Sequence, residues 1–300
     1  MYLTEEQQNL IGYSWFAVSL AGFIVWLWRS RGGFEAFQKA PPRPHKLKGF
    51  DVLAILLVFI AIEIARTYFL NQAEPHSPEK SDLSYIGLLG GQLVITAVIL
   101  FLGRRRFTGG LGGFGLSLRH PGKTTGISIL YFVMATGLTL LVLSVTVQIC
   151  EAAGIEEQRH ATLEKLSDHP PLRTMIILMV TAAIGAPVME ELLFRGILQS
   201  YFIRFFYGAA TPVKPLGTSE DGGPPVRGAT LYRWLGIVIA SAFFMVTHAN
   251  WQHMPALLVL GVCLGYIYER RGNILIPIMV HGLFNMMQLA GTLLQNNSGG

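Results

Sequence analysis

The chain has 300 residues, of which 51% are hydrophobic and only 14% are charged. Together with a mean hydropathy of +0.45, this composition excludes an ordinary soluble domain and indicates a polytopic membrane protein. The formal net charge is +5, which basic loops facing an anionic leaflet explain, so no nucleic-acid partner is expected. The two cysteines, Cys150 and Cys263, lie far apart in sequence and provide neither metal-ligand spacing nor a disulfide framework.

Apolar segments of about the length needed to cross a bilayer as a helix follow one another along the chain. They cover residues 9–28, 50–70, 85–102, 124–149, 174–206, 234–249, 254–268 and 274–294. The sequence therefore predicts an all-α fold with about eight transmembrane helices, forming a single membrane domain over residues 1–300. Segments 234–249 and 254–268 are short, and either could be re-entrant rather than fully spanning.

Basic residues concentrate in the loops after spans one, three and seven, which predicts that these loops are cytoplasmic. They are Arg29, Arg31, Lys39, Arg43, Lys46 and Lys48, then Arg104, Arg105, Arg106, Arg119 and Lys123, and finally Arg270 and Arg271. Both termini are then expected outside the cytoplasm, in an integral protein of the bacterial inner (plasma) membrane. Residues 207–228 are rich in glycine and proline and are expected to form a flexible cytoplasmic loop.

Two adjacent carboxylates and an arginine interrupt the fifth apolar segment, which has no charged side chain from residue 174 to residue 189. Ionisable groups at such depth are costly, and they indicate a functional site. Arg195 lies four residues after Glu191, so on a helix the two can pair, whereas Glu190 is turned about 100° away. Pro187 stands just before the glutamates, and a proline there frees a backbone carbonyl and can bend the helix.

Further polar residues appear in the late spans, at Phe244 to His248 and at His281 to Asn285. His281 and Asn285 are four residues apart, so one helix face presents both. A structural ion-pair network would account for one Glu–Arg pair, and a lone buried histidine is often only a packing residue. It is less plausible that the four polar residues Glu190, His248, His281 and Asn285 are buried for unrelated reasons than that they form one common site. Such a site would lie in an intramembrane polar cavity.

These motifs resemble those of the CAAX-processing and bacteriocin-processing (CPBP) intramembrane proteases, whose eukaryotic members cleave the terminal tripeptide from prenylated CAAX proteins. That family carries Glu-Glu-x-x-x-Arg, then Phe-x-x-x-His, then His-x-x-x-Asn/Asp, each on a separate transmembrane helix. Here the same order is Glu190-Glu191-x-x-x-Arg195, Phe244-x-x-x-His248 and His281-x-x-x-Asn285. The resemblance covers a protease core of about residues 172–290 and implies hydrolysis of a peptide or lipidated-protein substrate at the membrane.

The resemblance also implies a role for each residue. Glu190 and His248 would hold and deprotonate a water molecule, with Glu190 as the base. His281 and Asn285 would stabilise the oxyanion. Glu191 and Arg195 would pair to hold the helix and orient Glu190, with Phe244 as a further supporting residue. No cofactor is then required.

Alternative functions of the same residues stay open. Glu190, His248 and His281 could instead bind a catalytic zinc ion, although the tight spacing of a recognised zinc motif is absent. The chain could also be a catalytically silent scaffold or a bacteriocin-immunity protein of the same fold. A proton-coupled transporter would need inverted repeats, which the sequence does not contain.

The predicted membrane depths of Glu190 and His248 do not agree easily with a single site. If span five runs from outside to inside, Glu190 lies near mid-depth or below, whereas His248 ends span six near its outer side. A broken span five, or a span six that starts well inside the membrane, would reconcile the two positions. The sequence names neither the natural substrate nor the oligomeric state.

Overall fold

A computed structural model describes residues 5–38, 40–71, 78–155, 171–210, 229–248 and 250–298. The regular elements in these ranges are helices, and the only β-type pairing among them is an isolated bridge between His45 and Phe107. The α-helices are α1 Glu5–Arg29, α2 Gly49–Asn71, α3 Pro78–Arg106, α4 Gly110–Gly113, α5 Pro121–Ala152, α6 Leu172–Val180, α7 Ala186–Glu191, α8 Ser200–Ala210, α9 Ala229–Val246, α10 Met254–Arg271 and α11 Leu275–Ser298. The predicted all-α fold is thus confirmed.

Helix boundaries follow local sequence signals. Pro121 opens α5, where its missing N–H would have had no intrahelical partner. Gly272 ends α10 in the left-handed conformation, with φ of 65°, and its N–H bonds the carbonyl of Tyr268. A short 3₁₀ turn, Trp251–His253, leads into α10, and the Asn250 side chain accepts a hydrogen bond from the N–H of Gln252 there.

The longest helical stretch is interrupted twice, and we call residues 172–210 the broken helix. Its α-helical pieces α6, α7 and α8 are joined by π-helical segments at Thr181–Gly185 and Leu192–Gln199. The sequence predicted a break near Pro187 but not its π-helical form. Such π segments inside α-helices are frequent at functional sites.

Six helices within the described ranges are long and apolar enough to cross a membrane. They cover Asp82–Arg106, Pro121–Ala152, Leu172–Gly208, Ala229–Val246, Trp251–Arg271 and Leu275–Leu293. The predicted spans 9–28 and 50–70 fall in α1 and α2, which are helical but are not among these six. The count of about eight spans therefore stays a prediction, and residues 211–228 of the expected flexible loop lie outside the described residues.

The chain divides into two compact units, each assembled from three separate stretches. Unit 1 contains residues 1–42, 118–158 and 202–272, and unit 2 contains residues 43–117, 159–201 and 273–300. Unit 1 holds α1, α5, α9 and α10, while unit 2 holds α2, α3, α4, the broken helix as far as residue 201 and α11. The prediction of one membrane domain stays a prediction.

In unit 2, loops from different parts of the chain meet through backbone hydrogen bonds. Lys46 N–H donates to the carbonyl of Arg106 at 2.7 Å, and Ile274 N–H donates to that of Gly115 at 3.0 Å. The Arg106 guanidinium pairs with Asp51 near the start of α2 at 2.6 Å. The parts of the loops after spans one, three and seven that belong to unit 2 thus lie together. Which side of the membrane these loops face stays a prediction.

Candidate active site

The site begins with a carbonyl that the broken helix cannot satisfy by itself. At the first π segment the N–H of Ala186 bonds Thr181 O, one residue further back than in an α-helix. The next residue, Pro187, has no N–H to donate. The carbonyl of Ala182 therefore loses the donors that the α and π patterns would have supplied.

The Asn285 side chain on α11 supplies the missing donor. Its Nδ2 lies 2.8 Å from the carbonyl oxygen of Ala182. Gly282, one turn earlier, lets α11 approach closely, because a Cβ there would stand 2.8 Å from the carbonyl oxygen of Ala183. The π segment and α11 are thus fixed to each other by backbone chemistry.

Glu191 is a fully buried carboxylate with two partners. Its Oε2 lies 3.1 Å from Nε of Arg195, and its Oε1 lies 3.0 Å from Nδ1 of His281. Arg195 has only 1% of its side chain exposed. The Glu191–Arg195 pair expected from the spacing of four residues is therefore present, and His281 joins it from α11.

Glu190 differs from its neighbour in access. Its side chain is 17% exposed, whereas that of Glu191 is 0% exposed. Its Oε2 lies 3.8 Å from Nε2 of His281, too long for a hydrogen bond. Glu190 is thus the partly exposed residue of the pair, and its Oε2 is buried without a hydrogen-bond partner.

Formal charges in this cluster can balance. The Glu191 carboxylate contributes −1 and the Arg195 guanidinium +1, so this buried ion pair is neutral as a whole. A neutral total matters because an uncompensated charge inside a bilayer is costly. The second π segment around Arg195 is buried along its whole length.

His248 belongs to unit 1, where it follows the C-terminus of α9. Its Nδ1 lies 2.9 Å from the carbonyl oxygen of Phe244, one of the last carbonyls of the helix. A carbonyl only accepts, so Nδ1 carries the proton and Nε2 of the neutral ring offers a lone pair. The ring also packs edge-on against Phe244, with the centroids 4.8 Å apart. The spacing Phe-x-x-x-His thus fixes both the tautomer and the position of the ring.

The structure brings together Glu190, Glu191, Arg195, His281 and Asn285 within unit 2. The approach of His248 to Glu190, and the polar cavity that would contain both, stay predictions. Within the part of the chain that is described, no three His, Cys, Asp or Glu side chains are grouped so as to hold a metal ion. The choice between a zinc site and a metal-free site therefore rests on chelation of the active protein.

Residues 172–287 match the family model described as type II CAAX prenyl endopeptidase Rce1-like. This part of the chain is thus similar to the CAAX proteases that its motifs resemble. Every site residue predicted from the three motifs lies inside the matched range, and the family is a protease family of membrane proteins. Comparisons with curated proteins and with solved structures gave no match.

Some contacts around the candidate site were not predicted from the motifs. The bond from His281 to Glu191, the bond from Asn285 to Ala182 and the packing of Gln92 against Gly185 all join distant parts of the chain. Of the two π-helical interruptions, only the first was indicated by the sequence, because Pro187 removes a backbone donor.

Proposed function

We propose that the protein is an intramembrane endopeptidase that hydrolyses a peptide bond of a membrane-associated substrate, using water activated by Glu190 and His248 without a metal ion. The observation that carries this proposal is the contrast between the two glutamates. Glu191 is enclosed by Arg195 and His281, while Glu190 beside them is partly exposed. The Rce1-like match supports the reaction class.

The water is activated by two acceptors in this mechanism. Glu190 takes a proton from it, and the unprotonated Nε2 of His248 accepts a hydrogen bond that orients it. The Nδ1 bond to the Phe244 carbonyl supports this role, because it leaves Nε2 as the accepting atom. The water oxygen then attacks the substrate carbonyl carbon.

The oxyanion that forms needs donors. Nδ1 of His281 is engaged with Glu191, so stabilisation by this ring requires a proton on Nε2 as well. Asn285 uses one amide hydrogen for Ala182 O, and its second amide hydrogen can serve the oxyanion.

Collapse of the tetrahedral intermediate breaks the carbon–nitrogen bond. The proton that Glu190 accepted is passed to the departing amine, which leaves as the new N-terminus. Glu190 is then ionised again, and no covalent enzyme intermediate forms. A peptide or lipidated-protein substrate fits this chemistry, since both bring a peptide bond to the membrane.

The test is cleavage of a peptide library, with and without lipid modification, by the purified protein in detergent. Wild-type protein should release fragments, whereas Glu190→Gln should be lower in kcat by about 10²-fold or more. The Gln side chain keeps its shape, so unfolding temperatures should agree within about 2 °C. Near-native turnover by this variant would remove Glu190 as the base.

The same assay with a chelator distinguishes the metal-free mechanism from a zinc-dependent one. Activity that survives prolonged chelation supports the metal-free mechanism. Activity that is lost on chelation and restored by zinc would keep the protease and overturn the metal-free part. Absence of cleavage by folded wild-type protein on every substrate would favour a silent scaffold.

A further inference from the structure

Unit 1 contains an apolar pocket that the proposed hydrolysis does not use. We call it the tryptophan pocket, and its walls come from α1, α5, α9 and α10. Its volume is about 110 Å³, which is smaller than most sites that enclose a whole small molecule, so the pocket has room for only part of a larger ligand. Its main lining residues are Trp26, Tyr131, Met134, Trp234, Cys263 and Tyr266.

Aromatic rings form one rigid wall of the pocket. Trp234 stacks on Tyr266 with their planes 9° apart, and Trp26 meets Tyr266 edge-on at 5.4 Å between centroids. The Trp234 indole N–H donates to the carbonyl of Gly33 at 3.2 Å. Tryptophan and tyrosine at one level of several helices are typical of a membrane–water interface. The aromatic wall is therefore of the kind expected where lipid chains meet their headgroups.

Arginines stand at the same end of these helices. Arg271, the last residue of α10, donates from Nε to the hydroxyl of Tyr131 at 3.1 Å, and its guanidinium lies 5.3 Å from the Tyr131 ring centroid. Arg270 precedes it, and Arg29 ends α1 one turn after Trp26. This is the end that the positive-inside rule predicts to be cytoplasmic.

Nearby acidic side chains are already neutralised. Glu35 pairs with Arg31 at 2.9 Å, and the buried Glu269 pairs with Arg233 at 3.3 Å. Arg271 thus places a positive charge beside Tyr131 of the pocket wall, while the other lining residues are apolar or aromatic. An occupant needs an apolar chain and a negatively charged head.

We infer that the tryptophan pocket binds one anionic phospholipid, with an acyl chain among Trp26, Met134 and Trp234 and its phosphate at Arg271. Arginine suits a phosphate because its planar donors match the phosphate oxygens. Basic sites between helices at the cytoplasmic face are known to select anionic headgroups. This inference does not depend on the proposed hydrolysis.

Brominated lipids provide the test, because they quench nearby tryptophans. The chain has five tryptophans, and Trp26→Phe and Trp15→Phe each remove one of them, so the difference in quenching from wild type reports the residue removed while Trp234 stays in place. Trp15 is the matched control, since it lies on α1 three turns from Trp26 and does not line the pocket. Helical content by circular dichroism checks that both proteins fold in vesicles.

Quenching of Trp26 should give an apparent affinity for dibromo-phosphatidylglycerol that is about fivefold higher than for dibromo-phosphatidylcholine. A preference of this size is expected from one arginine that contacts an anionic headgroup. Trp15 should be quenched equally by both lipids. Arg271→Gln should reduce the Trp26 preference to about one, whereas Arg105→Gln in unit 2 should leave it unchanged. Equal quenching of Trp26 by both lipids would overturn the inference.

A second measurement addresses the pocket itself. Mass spectrometry of the detergent-extracted protein should detect retained phosphatidylglycerol in wild type and in Val145→Phe, a change at a position outside the pocket. Val262→Phe should fill the pocket and abolish retention. If Val262→Phe retains as much phosphatidylglycerol as wild type, the pocket is not the lipid site. If a lipidated peptide at equal concentration displaces the brominated lipid in the quenching assay, the pocket binds substrate instead.

Discussion

Asn285 donates a hydrogen bond to the carbonyl oxygen of Ala182 across 2.8 Å, and this bond repairs the gap in the broken helix. The gap exists because Ala186 bonds one residue further back and Pro187 has no N–H. A residue proposed to stabilise an oxyanion thereby also fixes the backbone beside Glu190. Loss of the first role should lower activity, and loss of the second should lower stability.

Asn285→Ala should lower the free energy of unfolding by about 1–3 kcal/mol, because the Ala182 carbonyl is left without its donor. In a Pro187→Ala background the same change should cost less, since residue 187 regains an N–H that can serve this carbonyl. Thermal or denaturant unfolding of wild type, the two single variants and the double variant gives the coupling energy between Asn285 and Pro187. Strictly additive effects would show that Asn285 and Pro187 act independently.

Breaking the buried ion pair should be far more damaging than breaking an exposed one. Glu191→Ala removes the buried carboxylate that contacts both Arg195 and His281, and we expect a loss of about 3–5 kcal/mol. Glu35→Ala removes the partner of Arg31 at the same spacing of four residues, but that pair is exposed and should contribute at most about 1 kcal/mol. Similar losses in the two variants would refute the structural role given to Glu191.

The Glu191–Arg195 contact was predictable because both residues lie on one helix and their spacing fixes their distance. The two bonds made by α11 were not predictable, since they depend on how two distant helices pack. Pro187 indicated a break, but its π-helical form depends on which carbonyls find partners elsewhere. The three motifs predicted a candidate site because polar groups in an apolar segment are costly and indicate a function, and the position of His248 relative to Glu190 stays a prediction.

His248 offers a test of tautomer and position. His248→Asn places an amide near the position of Nδ1, so it can keep the bond to the Phe244 carbonyl while losing Nε2. We expect a stable protein whose kcat is lower by about 10²-fold or more. His248→Gln places its amide oxygen near the position of Nε2 and should retain more activity than the Asn variant. The reverse order in kcat would show that the Phe244 bond, rather than Nε2, matters for turnover.

Gly185 ends the first π segment, and its lack of a side chain lets α3 pack against it. A Cβ at this position would overlap the amide oxygen of Gln92 and lie 2.9 Å from Cδ1 of Leu89. Gly185→Ala should therefore lower both stability and activity, although alanine is the better helix former by about 1 kcal/mol. Gly126→Ala in α5 is the control, because a Cβ there meets nothing within 4 Å.

A second change separates crowding from a loss of backbone freedom. Gln92→Ala removes the amide that a Cβ at residue 185 would meet, so Gly185→Ala/Gln92→Ala should recover part of the lost unfolding temperature and turnover. Gly185 has no positive φ, since its value is −61°, and alanine can adopt this backbone conformation. Recovery in the double variant would locate the effect in the contact between α3 and the π segment. No recovery, with Gly126→Ala unchanged, would place it in the π segment itself.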